Sequence, residues 1–152
     1  MGAATAMFYS NYDERISAIC YDSSYSDFIL LAKELCIKHV SLPDFLIETC
    51  LFILRNTILS KNSLDINNLR PIKYASEVKC PGFFVHALND ELVKMEHSLS
   101  LFQIYGGIYL NILLGVKTLN VCEGNHNSAR PKHVIQKIGK FFTCYLYNVN
   151  FR

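Results

Sequence analysis

At 152 residues, 51% of them apolar, the chain is long enough for one domain with a real core. Its formal charge of +2 arises from 15 basic residues scattered among 13 acidic ones. No basic stripe could neutralise a run of phosphates, which excludes nucleic acid as a partner.

The six cysteines (Cys20, Cys36, Cys50, Cys80, Cys122, Cys144) lie far apart, with no Cys-x-x-Cys pair. They read as buried free thiols in a reducing, cytoplasmic compartment rather than as a disulfide framework. No basic segment followed by an apolar one opens the chain, so no secretory leader is expected. The apolar run Phe45–Leu59 is broken by Glu48, Arg55 and Asn56 too soon to span a bilayer.

In chain order, Met1–Ser10 is rich in small helix formers and begins without a cap, inside a helix. Asn11–Glu14 is turn-like, and the apolar Ile16–Tyr21 reads as a buried strand that ends at Asp22. Ser26 or Asp27 caps a helix to about His39, with Phe28, Leu31, Leu35 and Cys36 at helical spacing. Pro43 suits the first turn of a second helix, from about Asp44 to Leu59. Two helices with no strand between them look like an insertion over a sheet.

Asn62–Asn68 is a polar loop, and Pro71–Lys79 a short helical turn leading to Cys80 and Pro81. Gly82–His86 is a second buried strand that Asn89 and Asp90 terminate. Ser98–Tyr105 is a helix stopped by Gly106 and Gly107, and Val116–Cys122 a third strand. A long helix from Ala129 to about Tyr145 closes the chain, with Val134, Ile138, Phe141 and Phe142 on one face.

Alternating strands and helices place the chain in the α/β class, with about three parallel strands joined by right-handed crossovers. Active groups in such sheets gather at the carboxyl ends of the strands. Asp22, Asp90 and His126 all fall there.

Four segments, Met1–Ala6, Tyr21–Asp27, Val85–Asp90 and Glu123–Asn127, are where the chain resembles the α/β-hydrolase family, in its esterase, lipase and serine-aminopeptidase-like branch. The resemblance runs from Met1 nearly to Phe142. It implies the C-terminal part of that fold, a partial domain over residues 1–152 with a helical cap inserted at 26–70. It also implies no cofactor.

The family's nucleophile turn reads Gly-x-Ser-x-Gly, and Met1-Gly2-Ala3 resembles the residues just after its serine. The serine would then precede Met1, and the Met1 backbone N–H would be one oxyanion-hole donor. A serine hydroxyl is a weak nucleophile until a histidine takes its proton.

Asp90 matches the triad acid of the family's His-Gly-x-x-Asp pattern, and His126, in Gly124-Asn125-His126-Asn127, matches its general base. Ala87 stands where the family has the glycine of that pattern, and Lys94 where it commonly has proline. Asp22 is the rival acid, although its surroundings resemble a family stretch in which the aspartate supports the site.

Cys122, His126 and His133 are close enough in sequence to suggest a metal, but no second pair has zinc spacing, so no metal is expected. His39, His97 and His133 read as helix-surface residues, and His86 as a strand or site-wall residue. Phe28, Leu46, Phe52 and Leu54 of the cap would suit a lipidic or aromatic ester, with helix packing the expected role.

The expected function is therefore hydrolysis of a carboxylic ester, thioester, lipid or peptide bond by a Ser-Asp-His triad. The chain itself lacks the serine and is expected to be inactive by that route. The alternative is a truncated hydrolase acting as a binding module. Expected partners are a small acyl or lipid-like substrate and, through the sheet edge left open, a second copy of the chain. The aromatic tail Phe141–Phe151 is compatible with a membrane surface, but it is short, and packing on the sheet is expected. The apolar insert Ile108–Gly115 and the start at Met1 are expected to reflect a mis-predicted gene with a retained intron.

Overall fold

The computed structural model describes residues 1–40, 42–107 and 117–149. They form two compact units, one of residues 1–26 and 71–149, the other of residues 27–70.

The first unit is built on three parallel strands in the order β1 (Ile19–Asp22), β2 (Gly82–Ala87), β3 (Lys117–Cys122). β2 lies in the middle and every residue in it is buried, which is why, His86 apart, it reads as an apolar run rather than an alternating one. Successive side chains point to opposite faces and so divide the core in two.

On one face Tyr21 and Phe84 join Met7 of α1 (Gly2–Tyr12) and Leu101 of α4 (Met95–Ile104), with Ala75, Val78, Cys80 and Tyr105. On the other, Phe83, Val85 and Cys122 meet Val134 and Phe141 of α5 (Lys132–Val149). Phe142 and Tyr145 pack partly buried against this second cluster.

β2 opens at Gly82 because nothing larger fits. A methyl group there would lie 2.7 Å from the Tyr105 ring. That ring cannot swing away, since its hydroxyl donates to the Cys80 carbonyl at 2.9 Å and lies 3.3 Å from the Tyr21 hydroxyl.

In the second unit, α2 (Phe28–Val40) and α3 (Asp44–Asn62) pack on each other and on a short 3₁₀ turn at Ile66–Asn68. Asp27 caps α2, its carboxylate accepting from the N–H groups of Ile29 and Leu30 at 2.9 and 3.2 Å. Ser63 closes α3 in the left-handed region, at φ 53°. Arg55 pairs with Asp65 and Lys33 with Glu48, at 2.5 and 2.8 Å. Leu31, Ile47, Leu51 and Ile66 are buried.

Several boundaries differ from the sequence expectation, each for a local reason. The first strand starts at Ile19 rather than Ile16, because residues 13–16 form a turn in which the Asp13 carboxylate holds the Arg15 N–H at 3.0 Å. The helix expected from Ser98 starts at Met95, and the one expected from Ala129 starts at Lys132, because Arg130 is held in the preceding loop.

None of the six cysteines is in a disulfide; Cys80 and Cys122 are buried, whereas Cys50 and Cys144 are exposed. Leu46, Phe52 and Leu54 do not pack inward as expected but are exposed. The insert at 108–115 and the start of the third strand at Val116 lie outside the described residues, as does Phe151.

Candidate active site

The register of β2 with β3 decides what meets at their carboxyl ends. Ala87 lies opposite Cys122, and the pairing continues past both strands: Leu88 N–H donates to Cys122 O at 2.7 Å, and Asn89 N–H to Gly124 O at 3.0 Å. The two loops leave the sheet tied together, which brings Asp90 and His126 into contact although 36 residues separate them.

The imidazole Nδ1 of His126 lies 2.7 Å from Asp90 Oδ2. The Asp90 carboxylate is 1% exposed, and its other oxygen, Oδ1, accepts from the N–H groups of Leu92 and Val93 at 2.9 and 2.8 Å. Burial alone would raise its pKa. The Val93 N–H, the His126 imidazole and the Leu92 N–H, with a smaller contribution from the Ser23 hydroxyl, outweigh burial and hold the carboxyl below its ordinary value. An ionised carboxylate only accepts, so a proton sits on His126 Nδ1, and in the neutral imidazole Nε2 is the accepting nitrogen. Among the described residues no hydrogen-bond partner reaches Nε2, and the side chain is 27% exposed.

The histidine loop is held open by its own geometry. Gly124 adopts φ 114°, where a side chain would be strained, and a methyl group there would come within 2.9 Å of Ser128 Cβ. Asn125 N–H donates to the Ser128 hydroxyl at 3.0 Å, and that hydroxyl donates to Asn125 Oδ1 at 2.9 Å.

Arg130, which sequence reasoning did not single out, closes the loop from beside α5. Its Nη1 donates to the carbonyls of Asn125 and Ser128 at 3.0 and 3.2 Å, and Nη2 approaches His126 O at 3.5 Å. Its Nε and Nη2 hold the Asp22 carboxylate in a two-pronged pair at 2.7–3.1 Å. Asp22 is thus partnered by a guanidinium and not by His126.

The other residues singled out in the sequence lie away from this pair or beside it. Met1 precedes α1 and is 74% exposed, its carbonyl accepting from Thr5 N–H at 3.1 Å. His86 is fully buried in β2. His97, expected on a helix surface, is buried at 2% exposure, its Nδ1 lying 2.7 Å from the Ser26 hydroxyl. Because α4 starts three residues earlier than expected, His97 sits in its first turn, facing the body of the unit. His39 and His133 are exposed. Among the described residues no three His, Cys, Asp or Glu side chains cluster as metal ligands. Nor is any helix among them long and apolar enough to cross a membrane.

Neither a family model nor a curated protein matches the sequence. Solved structures do resemble it. An acetyl xylan esterase from Paenibacillus sp. R4 matches 95% of this chain with 42% of its own, at 10% identity and a TM-score of 0.63. An esterase from Pyrococcus furiosus matches 94% with 50% of its own, at 18% identity and a TM-score of 0.61. An acylaminoacyl peptidase from Pyrococcus horikoshii matches 95% with 23% of its own, at 18% identity and a TM-score of 0.58. The chain therefore spans half or less of the length of these proteins, and its three parallel strands flanked by helices have an α/β-hydrolase fold.

Proposed function

We propose that the chain supplies the acid and the base of a serine hydrolase acting on a carboxylic ester, thioester, lipid or peptide bond. The observation that carries this reading is the 2.7 Å contact between His126 Nδ1 and the buried, otherwise saturated Asp90 carboxylate. It leaves Nε2 without a partner among the described residues, and in the neutral imidazole that nitrogen is the one that accepts a proton, as a general base must.

In the proposed reaction a serine N-terminal to Met1 loses its proton to His126 Nε2 as its oxygen attacks the substrate carbonyl. Asp90 stabilises the imidazolium that forms, and the Met1 backbone N–H, internal in the longer protein, donates to the developing oxyanion. His126 then protonates the leaving group. Water, activated by the same imidazole, releases the acyl group in the second half of the cycle. The esterase and peptidase names of the structural neighbours support the reaction class.

The test is to read the coding frame upstream of Met1 for a Gly-x-Ser turn, express the longer protein, and treat it with a fluorophosphonate probe. Labelling of that serine is expected, with loss of labelling and of p-nitrophenyl ester hydrolysis in Asp90→Asn and His126→Ala. Residues 1–152 alone should not be labelled. An upstream frame without such a serine, together with no labelling, would leave the binding module as the reading.

A further inference from the structure

His86 is a wholly buried titratable group that has no place in the proposed reaction. Both its ring nitrogens are occupied. Nε2 lies 2.9 Å from the Val93 carbonyl, and Nδ1 lies 2.8 Å from the Ser98 hydroxyl. A carbonyl only accepts, so the proton sits on Nε2, and the Ser98 hydroxyl donates to Nδ1. Burial favours this neutral form by pushing the His86 pKa down.

The peptide unit that His86 grips is adjacent to the one that grips Asp90. Val93 offers its carbonyl to His86 and its N–H to Asp90 Oδ1, at 2.8 Å. Of the groups that hold the Asp90 carboxyl ionised, that N–H acts most strongly. His86 Nε2 is itself 3.8 Å from Asp90 Oδ2, too far for a hydrogen bond, so its influence passes through Val93.

We propose that His86 is a positioning residue: its Nε2–H fixes the Val93 residue whose N–H orients Asp90 toward His126. The proposal rests on the reading of Asp90 and His126 as acid and base. A histidine that merely fills the space between β2 and α4 would leave Asp90 indifferent to what replaces it, provided the fold survives.

Three measurements on the full chain test this by NMR. In the unaltered protein, long-range ¹H–¹⁵N correlations should show His86 protonated on Nε2 alone; a proton on Nδ1 would overturn the proposal. The Asp90 ¹³Cγ titration midpoint should rise by about one pH unit in His86→Leu, as expected for a weakened hydrogen bond to a charged group. It should return toward the native value in His86→Gln, whose amide can donate to Val93. Equal midpoints in all three proteins would also overturn the proposal.

Ser98→Ala removes only the Nδ1 partner and should leave the midpoint in place. If His86→Leu does not fold, the tautomer and the His86→Gln midpoint still decide. The underlying reading fails separately: if Asp90→Asn leaves the downfield His126 Nδ1 proton unchanged, the pair itself is absent in solution.

Discussion

At the scale of single residues, the site is a buried carboxylate whose pKa is lowered by the donors around it, and this fixes the sign of its contribution to stability. A depressed carboxyl contributes fully above its unfolded value, near 3.9, and the contribution is lost as pH falls through the folded value. Asp90→Asn should therefore flatten the acid side of the stability profile, and urea melts at pH 7 and pH 3 should show wild type losing more stability than the variant on acidification.

Arg130 gives a second prediction. Its fork holds a carboxylate and two or three carbonyls at once, a geometry that an ammonium cannot reproduce. Arg130→Lys should speed hydrogen exchange at Asn127 and Ser128 while leaving β2 protected, and unchanged exchange in the loop would show that the clamp is dispensable.

The contact between Asp90 and His126 was legible because short motifs at strand ends carry the two residues. Arg130 was not, because its partner Asp22 is 108 residues away and nothing in the local sequence marks a guanidinium that reaches back to another strand. Asp22 at a strand end and a basic residue four positions after His126 were the only signals available.

At the scale of elements, the alternation of strands and helices was readable because β2 is apolar but for His86 and α5 is apolar on one face. The errors lie at ends, where side-chain to backbone bonds compete with propensity. The Asp13 carboxylate delays β1, and the Arg130 clamp delays α5.

The sheet's core supplies a direct test of packing. Phe84 is fully buried, with ring centroids of Tyr21, Tyr105 and Phe102 at 4.9, 5.2 and 5.7 Å. Phe84→Ala should cost about 3–5 kcal/mol in a urea melt, and Phe84→Leu clearly less. Gly82→Ala should also destabilise, since the added methyl meets a ring whose hydroxyl is anchored.

At the scale of the whole molecule, the described strands leave one edge of β1 without a partner. An open edge of this kind recruits other strands. Sedimentation velocity should therefore show species larger than a monomer as the concentration of the chain rises. A monomer throughout would mean that the edge is covered in solution. The exposed Leu46, Phe52 and Leu54 of the helical unit were not legible, because an apolar residue at helical spacing carries no label for the surface it meets.

The ladder that runs on past Ala87 and Cys122 also has a consequence in time. Asp90 takes its backbone donors from residues two and three positions away, whereas His126 arrives only when a loop of 36 residues has closed. Closing the longer loop costs more entropy, and non-local pairings of this kind form late. During refolding the turn around Asp90 should be in place first, and the His126 Nδ1 proton should appear together with amide protection across β2 and β3, never ahead of it. The Asp90 carboxylate is in place before the His126 imidazole reaches it.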